Sequence, residues 1–427
     1  MDIPAIHQLF LQCHSVSIDT RKIERQSFFV AIKGDRFDAN TFAAEALRKG
    51  ASFVVIDNPD YFVDERTILV DDALTTLQAL SKFHRQFLKL PIIALTGSNG
   101  KTTTKELLNA VLSQKFNTKA TVGNLNNHIG VPLTLLSFNA QTEIGIVEMG
   151  ANHQKEIAFL CEIAAPDYGF ITNFGKAHLE GFGGVSGVIK GKSEMFEYLL
   201  SNHKKVFVNL EDRIQAEKTA QMHRITFGQN KIKANVNISK VMADPFVIIE
   251  FAGMVIRSRL IGLYNANNIM AAITIGKYFG VSNEAIKLAI EEYISDNNRS
   301  ELVYKDSNEI ILDAYNANPS SMKVAIENFL QLKHQNKVIV LGDMFELGTE
   351  SNKEHKEIVG LLLKEDQINC HFIGNEFYHH KTEKDHFKFY RTFQDFEMSL
   401  LKQPLTNSMI LIKGSRGMAL ERTMGLL

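Results

Sequence analysis

The stretch ALTGSNGKTTTKE occupies residues 94–106 and joins the apolar run PIIAL to sequence with helical character. A strand, a glycine-rich turn and a helix are therefore expected in that order. The usual phosphate loop reads G-x-x-x-x-G-K-[ST], and counting back from Gly100 places Leu95 where its first glycine should be. Gly97 and Gly100 still let backbone N–H groups approach an anion at a helix N-terminus. The stretch predicts a phosphate-binding turn, with an ordinary glycine-rich turn as the alternative.

The residues after Gly100 match the chemistry of a nucleoside triphosphate site. In a phosphate loop the lysine reaches the β- and γ-phosphates, and the next hydroxyl residue holds Mg²⁺. Lys101 and Thr102 occupy these two positions. We therefore expect a nucleoside triphosphate and Mg²⁺ at this site.

Length, composition and charge indicate the number of domains, the partners and the compartment of this protein. The 427 residues suit about three domains, and a charged content of 22% with a net charge of -1 gives no general attraction to nucleic acid or acidic membranes. The three cysteines are far apart, which favours a reducing compartment. With no signal peptide or membrane span in the sequence, we expect a cytoplasmic, monomeric protein that neither inserts into membranes nor binds nucleic acid.

The order of apolar runs predicts an α/β protein of three domains. Residues 1–88 contain two short buried strands, FFVAI (28–32) and SFVVID (52–57), with a helix between them. Residues 89–297 alternate strand and helix, as in a parallel sheet with crossover helices. Residues 298–427 repeat that alternation and predict a Rossmann-like C-terminal domain.

Several element bounds follow from the same patterns. In the central domain we expect a helix at 101–115, a strand EIGIVEM at 143–149 and a helix at 153–164. The runs VNISKV, FVIIEF and MVIRSRL within 234–260 are separated by turn residues and predict antiparallel strands added to this domain.

The form T-G-x-N-G-K-[ST], here Thr96 to Thr102, resembles the loop of the Mur ligases of peptidoglycan synthesis and of the related folylpolyglutamate synthases. Further stretches resemble the same family in order and spacing: TVGNLNNHIGVPLTLL (121–136), IVEMGANH (146–153), NFGKAHLEGFG (173–183), GKSEMF (191–196), LIGLYNANNIMAAITIG (260–276) and NNRSELV (297–303). The resemblance implies an N-terminal domain that binds a UDP-sugar, a central ATP-binding domain and a C-terminal domain that binds an incoming amine.

The resemblance also implies which residues act on ATP and metal. An amide forms from a carboxylate only after activation, and cations must offset the repulsion between two polyanions. It implies Lys101, Glu148, His178 and Lys192 as catalytic residues. Thr102 and Glu148 would hold one metal and His178 would contribute to a second, with Lys192 as a further ligand if carbamoylated. The ATP-binding residues implied are Thr96, Gly97, Ser98, Asn99, Gly100, Lys101, Thr102, Thr103, Asn265, Asn268, Arg299 and Asp313.

One stretch narrows the resemblance within the family. ILDAYNANPSSM (311–322) resembles the members that add D-alanyl-D-alanine to a UDP-muramoyl tripeptide. The stretches SVSIDTRKI (15–23), VLGDMFELGTES (340–351) and LIKGSRGMALE (411–421) agree with it. The substrate-binding residues implied are Ser17, Asp19, Thr20, Arg21, Thr121, Asn124, Asn126, Asn127, Tyr315, Asn316, Asn318, Lys413 and Arg416.

The expected function is therefore an ADP-forming, ATP-dependent amide ligase. It would join D-Ala-D-Ala to UDP-MurNAc-tripeptide through an acyl phosphate and give UDP-MurNAc-pentapeptide. The alternatives are another Mur ligase, a folylpolyglutamate synthase, a catalytically inactive nucleotide-binding partner, or a phosphate-loop NTPase of transport or signalling. The third residue of the tripeptide, diaminopimelate or lysine, stays open.

Overall fold

The computed structural model describes residues 1–295 and 298–427. The domain boundary expected at 297/298 falls at residue 297, which lies outside the described residues. The strands of the described ranges, numbered in chain order, are β1 Ser15–Ser17, β2 Ser27–Val30, β3 Lys33–Gly34, β4 Phe37–Asp38, β5 Ala51–Ile56, β6 Thr67–Leu69, β7 Ile92–Thr96, β8 Thr118–Ala120, β9 Ile144–Glu148, β10 Tyr168–Ile171, β11 Lys205–Asn209, β12 His223–Gln229, β13 Val236–Ile238, β14 Lys240–Ala243, β15 Phe246–Phe251, β16 Met254–Ile261, β17 Glu301–Lys305, β18 Asn308–Asp313, β19 Lys337–Gly342, β20 Ile368–Ile373, β21 Phe387–Tyr390 and β22 Met409–Lys413.

The α-helices of the same ranges surround these strands. They are α1 Ile3–Phe10, α2 Ala43–Arg48, α3 Ala73–Leu88, α4 Lys101–Leu112, α5 Gly130–Leu136, α6 Glu156–Ala164, α7 Leu179–Phe182, α8 Val185–Ser201, α9 Arg213–Lys218, α10 Ala266–Tyr278, α11 Asn283–Glu292, α12 Pro319–Gln331, α13 Ser351–Leu362, α14 Asn375–Tyr378 and α15 Phe393–Lys402. Short 3₁₀ turns lie at Thr20–Lys22, Ala39–Phe42, Pro59–Tyr61, Leu263–Asn265, Gly348–Glu350, Arg416–Met418 and Leu420–Gly425.

The first unit of the chain is a four-stranded parallel sheet in the order β1-β2-β5-β6. Helix α3 begins after Asp72, whose carboxylate accepts the Thr75 N–H, and is followed by Lys89 in the left-handed conformation.

Two buried histidines link the first unit to the second. His7 Nε2 lies 2.9 Å from His84 Nδ1, and His84 Nε2 lies 3.0 Å from the Phe138 carbonyl oxygen. Burial lowers the pKa of both imidazoles, that of His7 to about 4. Neutral rings therefore form a hydrogen-bonded chain from the first unit into the second.

The central sheet has seven strands in the order β13-β12-β11-β10-β7-β9-β8, and every pairing is parallel. Strands β7 and β9 are buried along their whole length, as expected for strands covered on both faces. The carboxyl ends of β7, β9 and β10 lie side by side at one edge of this sheet. An open parallel sheet binds its ligands at such an edge.

Residues 234–260 differ in part from the prediction. Strands β14, β15 and β16 form an antiparallel sheet, as expected, and Ala252 and Gly253 both have positive φ, as a tight hairpin turn requires. The start of the VNISKV run was predicted wrongly, because Val236–Ile238 pairs in parallel with β12. A three-residue strand carries no signal of its direction; the preceding strand β12, which the sequence patterns did not reveal, decides it.

The last sheet follows the order β17-β18-β22-β19-β20-β21. Its pairings are parallel except for β17, which runs antiparallel to β18 at the edge. The predicted α/β architecture with parallel sheets is confirmed. The antiparallel edge strand β17 and the short strand β21 were not predicted.

Two predicted helices are shorter than expected. The helix predicted at 101–115 ends at Leu112, and the one predicted at 153–164 begins at Glu156. The second difference has a local cause. Lys155 has a φ of 72°, and the Glu156 carboxylate accepts the N–H groups of Asn152 and His153, so the chain turns before the helix starts. Among the described residues, every helix is too short or too polar to span a lipid bilayer.

Candidate active site

The loop after β7 opens directly into α4. Gly100 caps that helix with a φ of 78°, and Gly97 has a φ of 145°. Both conformations favour glycine because a Cβ atom would be strained there. Space is also limited: a Cβ on Gly97 would lie 1.9 Å from Thr172 Oγ1, and one on Gly100 would lie 2.6 Å from Asn268 Oδ1. The N-terminal N–H groups of α4 thus stay open toward an anion.

A Gly97→Ala substitution should displace this loop. The added methyl group collides with Thr172, so we expect a loss of roughly 1–3 kcal/mol in the free energy of unfolding and at least about a tenfold loss of ADP affinity. Thermal unfolding and calorimetric titration with ADP measure the two effects. Gly360→Ala is the matched control, because a Cβ there has no atom within 4 Å. Equal ADP affinity in both variants would contradict the tight-loop interpretation.

Two residues that follow β10 hold the loop in place. Asn173 Oδ1 accepts the Asn99 N–H at 3.1 Å, while its Nδ2 donates to the Asn99 carbonyl at 2.9 Å. Thr172 Oγ1 donates to the same carbonyl at 2.6 Å. Ser98 Oγ donates to the Gly175 carbonyl at 2.7 Å. The glycine loop is therefore held against the segment that follows the adjacent strand β10.

Lys101 bends back over its own loop. Its Nζ donates to the Gly97 carbonyl at 2.7 Å. This hydrogen bond places the Lys101 ammonium group over the glycine loop. Burial lowers the pKa of Lys101, Glu148 opposes that shift, and Arg299 adds to it. The cleft thus holds a concentrated positive charge next to one buried carboxylate.

Glu148 stands at the end of β9 and is 1% exposed. Its Oε1 accepts the Thr102 hydroxyl at 3.3 Å and the Asn126 amide at 2.8 Å. Its Oε2 has no hydrogen-bond partner within the described part of the chain. A buried carboxylate oxygen left free beside a hydroxyl suits a hard cation such as Mg²⁺. Among the described residues no cluster of three or more His, Cys, Asp or Glu side chains could hold a metal by itself, so phosphate oxygens and water would complete its shell.

Lys192 lies in the interior of the central unit on α8. Its Nζ has no hydrogen-bond partner among the described residues and sits 5.3 Å from the centre of the Phe182 ring. Burial first, and then the nearby charge of Lys101, lowers the pKa of Lys192 well below its ordinary value. This residue does not line the cleft itself.

His178 is met by a carboxylate from the last unit of the chain. Its Nδ1 contacts the Glu346 carboxylate, and this contact is the main cause that lowers the pKa of Glu346. The Glu180 N–H donates to the Glu346 carbonyl at 3.3 Å. The segment around His178 is therefore held by backbone and side chain together.

Asn265 and Asn268 join the start of α10 to the loop. Asn268 Nδ2 donates to Asn265 Oδ1 at 2.9 Å, and Asn268 Oδ1 accepts the Thr104 hydroxyl at 3.1 Å. Next to them, the Tyr264 hydroxyl lies 2.6 Å from Ser300 Oγ in the last unit. Burial, with a smaller contribution from Asp313, raises the pKa of Tyr264.

The YNANP segment follows β18 and forms the opposite wall. Asp313 and Lys413 form a mostly buried ion pair of 2.6 Å at the ends of adjacent strands. Two guanidinium groups lie near the Tyr315 ring, with Arg299 at 3.7 Å and Arg416 at 5.6 Å from its centre. This wall presents cations to the cleft, while its Asp313 carboxylate is paired with Lys413.

Asn99 and Asn318 connect the two walls. Asn318 Nδ2 donates to Asn99 Oδ1 at 2.7 Å, and its Oδ1 accepts the Ser321 N–H as the N-cap of α12. Together the walls enclose a cleft of about 870 Å³. The predicted site residues that line it are Ser98, Asn99, Gly100, Lys101, Thr102, Thr103, Asn124, Asn126, Asn127, Glu148, His178, Asn265, Asn268, Arg299, Asp313, Tyr315, Asn316, Asn318, Lys413 and Arg416.

The other predicted site residues lie behind or away from the cleft. Thr96 is fully buried at the end of β7. Thr121 is 2% exposed, and its hydroxyl accepts the Glu148 N–H at 3.0 Å, so it holds the backbone of Glu148 from behind the cleft. The residues of the first unit also stay outside its lining: Ser17, Asp19, Thr20 and Arg21. There, Arg21 is exposed and forms an ion pair of 2.8 Å with Asp19.

Two residues with clear contacts were not among the predicted site residues. Asn173 directly follows a parallel strand, a position where the strand-end rule could have identified it. Glu346 follows β19 by four residues within the VLGDMFELGTES stretch. Its contact with His178 joins residues 168 positions apart in the chain. The local sequence around either residue does not indicate such a long-range contact.

Comparisons with known proteins agree with this geometry. Residues 95–276 match the Mur ligase middle domain, and residues 298–416 match the Mur ligase, glutamate ligase domain. The UDP-N-acetylmuramoyl-tripeptide--D-alanyl-D-alanine ligase of Bacillus subtilis is 36% identical over 96% of this chain and 92% of its own length. The enzyme of the same name from Escherichia coli is 33% identical over 81% of this chain and 77% of its own length.

Solved structures of similar fold include MurF proteins from two organisms. The structure of MurF from Acinetobacter baumannii superposes with a TM-score of 0.86 and 30% identity, covering 99% of this chain and 97% of its own. MurF ligase from Thermotoga maritima in complex with ADP gives a TM-score of 0.84 at 26% identity, covering 98% and 97% of the two chains. A folylpolyglutamate synthase from Mycobacterium tuberculosis has a TM-score of 0.62 at 13% identity and so shares the fold alone.

Proposed function

Because this chain belongs to the Mur ligase family, we propose that it is the ADP-forming ligase that joins D-Ala-D-Ala to UDP-MurNAc-tripeptide and so yields UDP-MurNAc-pentapeptide. The curated relatives that match nearly the whole chain carry this activity in their names. The observation that carries the proposal is the contact of Asn99 in the glycine loop with Asn318 in the YNANP segment. It brings the phosphate-binding wall within hydrogen-bond distance of the wall proposed to hold the amine.

ATP is proposed to bind along the loop between Thr96 and Thr103. The open N-terminus of α4 would meet the phosphates, and Lys101 would leave the Gly97 carbonyl to reach them. Asn265 and Asn268 would lie near the adenine, with Arg299 and Asp313 contacting the nucleotide from the last unit. The ADP complex of the Thermotoga maritima relative supports a nucleotide in this fold.

Mg²⁺ is proposed to bind between Thr102 and Glu148, where the free Oε2 would be its carboxylate ligand. When bound, the metal would neutralise phosphate charge. His178 and, after carbamoylation, Lys192 are proposed for a second ion. Burial favours the neutral amine of Lys192, which is the form that can add CO₂. Both assignments rest on the family resemblance together with these local contacts.

The reaction would proceed in two steps. A carboxylate oxygen of the tripeptide attacks the γ-phosphorus of ATP, which releases ADP and forms an acyl phosphate. The amine of D-Ala-D-Ala then attacks the acyl carbon, and the tetrahedral intermediate loses phosphate, with the amine proton released to phosphate or solvent, to give the amide. The cations Lys101, Arg299 and Arg416 would stabilise negative charge during these steps, and closure of the two walls would keep water from the acyl phosphate.

The remaining substrate contacts are assigned by the same reasoning. Residues 1–88 are proposed as the UDP-sugar domain, with contacts from Ser17, Asp19, Thr20 and Arg21. Residues 89–297 are proposed as the ATP-binding domain, and residues 298–427 as the dipeptide domain. Asn124, Asn126 and Asn127 are proposed to face the sugar nucleotide, with Thr121 behind them, and Tyr315, Asn316, Asn318, Lys413 and Arg416 to face the dipeptide. We further propose a monomeric, cytoplasmic enzyme.

Phosphate release from ATP tests the proposed function. We expect release only when UDP-MurNAc-tripeptide and D-Ala-D-Ala are both present, and two parallel assays with the diaminopimelate and lysine tripeptides identify the third residue. Release without the dipeptide would indicate an NTPase, and release with a folate substrate would indicate a folylpolyglutamate synthase. Nucleotide binding without turnover on either tripeptide would favour an inactive binding partner.

Asn316→Ala should damage use of the dipeptide more than it damages ATP binding. Asn316 Oδ1 accepts the N–H groups of Arg416 and Ala317, so it shapes the wall proposed to hold the amine. We expect the KM for D-Ala-D-Ala to rise by about tenfold while ADP affinity stays within about twofold. Steady-state kinetics and ADP titration measure the two quantities, with the exposed Asn352→Ala variant as control. Equal damage to both would contradict this placement.

A further inference from the structure

The contact between His178 and Glu346 joins two separate sheets of the molecule. His178 follows β10 of the seven-stranded sheet and lines the cleft. Glu346 follows β19 of the six-stranded sheet, and its carboxylate contacts His178 Nδ1. The contact therefore exists only while the last unit is docked against the central one.

The segment that carries Glu346 is held firmly inside its own unit. The Met344 N–H donates to His355 Nε2 at 3.0 Å, and the Phe345 N–H donates to Ser415 Oγ at 2.9 Å. Glu346 itself has a φ of 62°. The backbone just before Glu346 is therefore held by its own unit, while its carboxylate is held by His178 across the two units.

The backbone around the contact is equally close. The Glu180 N–H donates to the Glu346 carbonyl at 3.3 Å. A Cβ on Gly348, which has a φ of 54°, would lie 3.2 Å from the Glu180 side chain. The short turn of the last unit is thus seated directly on the segment 178–180, so the ring of His178 has a defined neighbour on its Nδ1 side.

We infer that Glu346 is a positioning residue, which fixes the His178 ring through Nδ1 and leaves Nε2 as the nitrogen available to the cleft. Histidines that bind metals commonly donate their other ring N–H to a carboxylate, which sets the tautomer and the ring orientation. Because Glu346 belongs to the last unit, docking of that unit would complete the metal-binding form of His178. This inference rests on the proposed function, in which His178 contributes to a metal site.

Metal affinity tests the inference separately from turnover. Mn²⁺ replaces Mg²⁺, and the EPR signal of free Mn²⁺ is followed in a titration of the full-length protein at saturating ADP. We expect Glu346→Ala to weaken the affinity of one Mn²⁺ by about tenfold. Glu346→Gln keeps an oxygen atom beside Nδ1 and should lose clearly less. Wild-type affinity in Glu346→Ala, or an equal loss in both variants, would overturn the inference.

The matched control is Glu354→Ala, which removes a different ion pair between the same two units. Glu354 Oε1 lies 2.6 Å from Lys176 Nζ and does not contact His178. If Glu346 acted only by holding the units together, Glu354→Ala would lower Mn²⁺ affinity as much, and the inference would fail. Dipeptide-dependent phosphate release by the wild-type protein is measured alongside. Its absence would overturn the proposed function, whereas its presence with unchanged Mn²⁺ affinity in Glu346→Ala would overturn only this inference.

Discussion

Lys101→Ala is expected to lower kcat/KM for ATP by at least about a thousandfold. Lys101 is the cation of the glycine loop, and its Nζ is held over that loop by the Gly97 carbonyl. Once Lys101 has left that carbonyl for the phosphates, its charge faces the transferring phosphoryl group inside the cleft, where electrostatic stabilisation is strong, so its loss is costly. Phosphate release at saturating tripeptide and dipeptide measures the effect.

The control for Lys101→Ala is Lys190→Ala, which removes an exposed cation from α8 in the same part of the chain. It should keep wild-type turnover, because a charge in water contributes little at a distance. Thermal unfolding shows whether both variants keep their fold. A Lys101→Ala protein that is folded and retains more than about a tenth of the wild-type kcat/KM would rule out the proposed role.

Glu148→Gln is expected to lower kcat by about a hundredfold or more while leaving the ligand-free protein as stable as the wild type. The substitution removes the charge of Oε2, the oxygen proposed as the metal ligand, but keeps the shape of the side chain. A buried carboxylate oxygen without a partner raises the free energy of the folded state. Loss of the charge that faces Lys101 opposes this gain, so the free energy of unfolding, measured without nucleotide and metal, should change by less than about 1 kcal/mol in the variant.

Glu194→Gln supplies the contrast for this second prediction. Glu194 is also buried, but its two carboxylate oxygens accept the Lys155 and Ala158 N–H groups at 2.6 and 3.0 Å. Its substitution should cost about 1–3 kcal/mol of stability, because an amide group has one oxygen for two donors. If Glu148→Gln were destabilised as strongly as Glu194→Gln, the Glu148 carboxylate would be a structural group and not a ligand.

The sequence alone predicted those parts of the site whose structure depends on residues adjacent along the chain. The strand before Gly97 and the helix after Gly100 are local properties that the sequence predicted, and the structure agrees with both. The positive φ of the two glycines, seen in the structure, suits the tight turn expected between them. The carboxyl ends of parallel strands could also be placed at one edge in advance, since the alternation of strand and helix fixes their direction. Glu148, to which the family resemblance gave a role, is the last residue of β9 and lies at that edge.

Prediction from sequence was less complete for short or irregular segments. The direction of Val236–Ile238 depends on which strand lies beside it, and three residues contain no record of that neighbour. The start of α6 depends on a carboxylate that captures the preceding N–H groups, a competition that helical periodicity does not reveal. In both segments the observed structure depends on hydrogen bonds that the hydrophobic pattern used for the prediction does not include.

What the sequence by itself determined is the chemistry of each wall: a phosphate loop with its lysine and hydroxyl, a carboxylate at a strand end, and the family to which the motifs belong. What only the tertiary structure decided is how the walls meet. Asn99 reaches Asn318, His178 reaches Glu346, and Thr121 turns behind Glu148 instead of into the cleft. The reason is physical, because these contacts depend on how separately folded sheets dock, and docking is set by surfaces formed only after each sheet has folded.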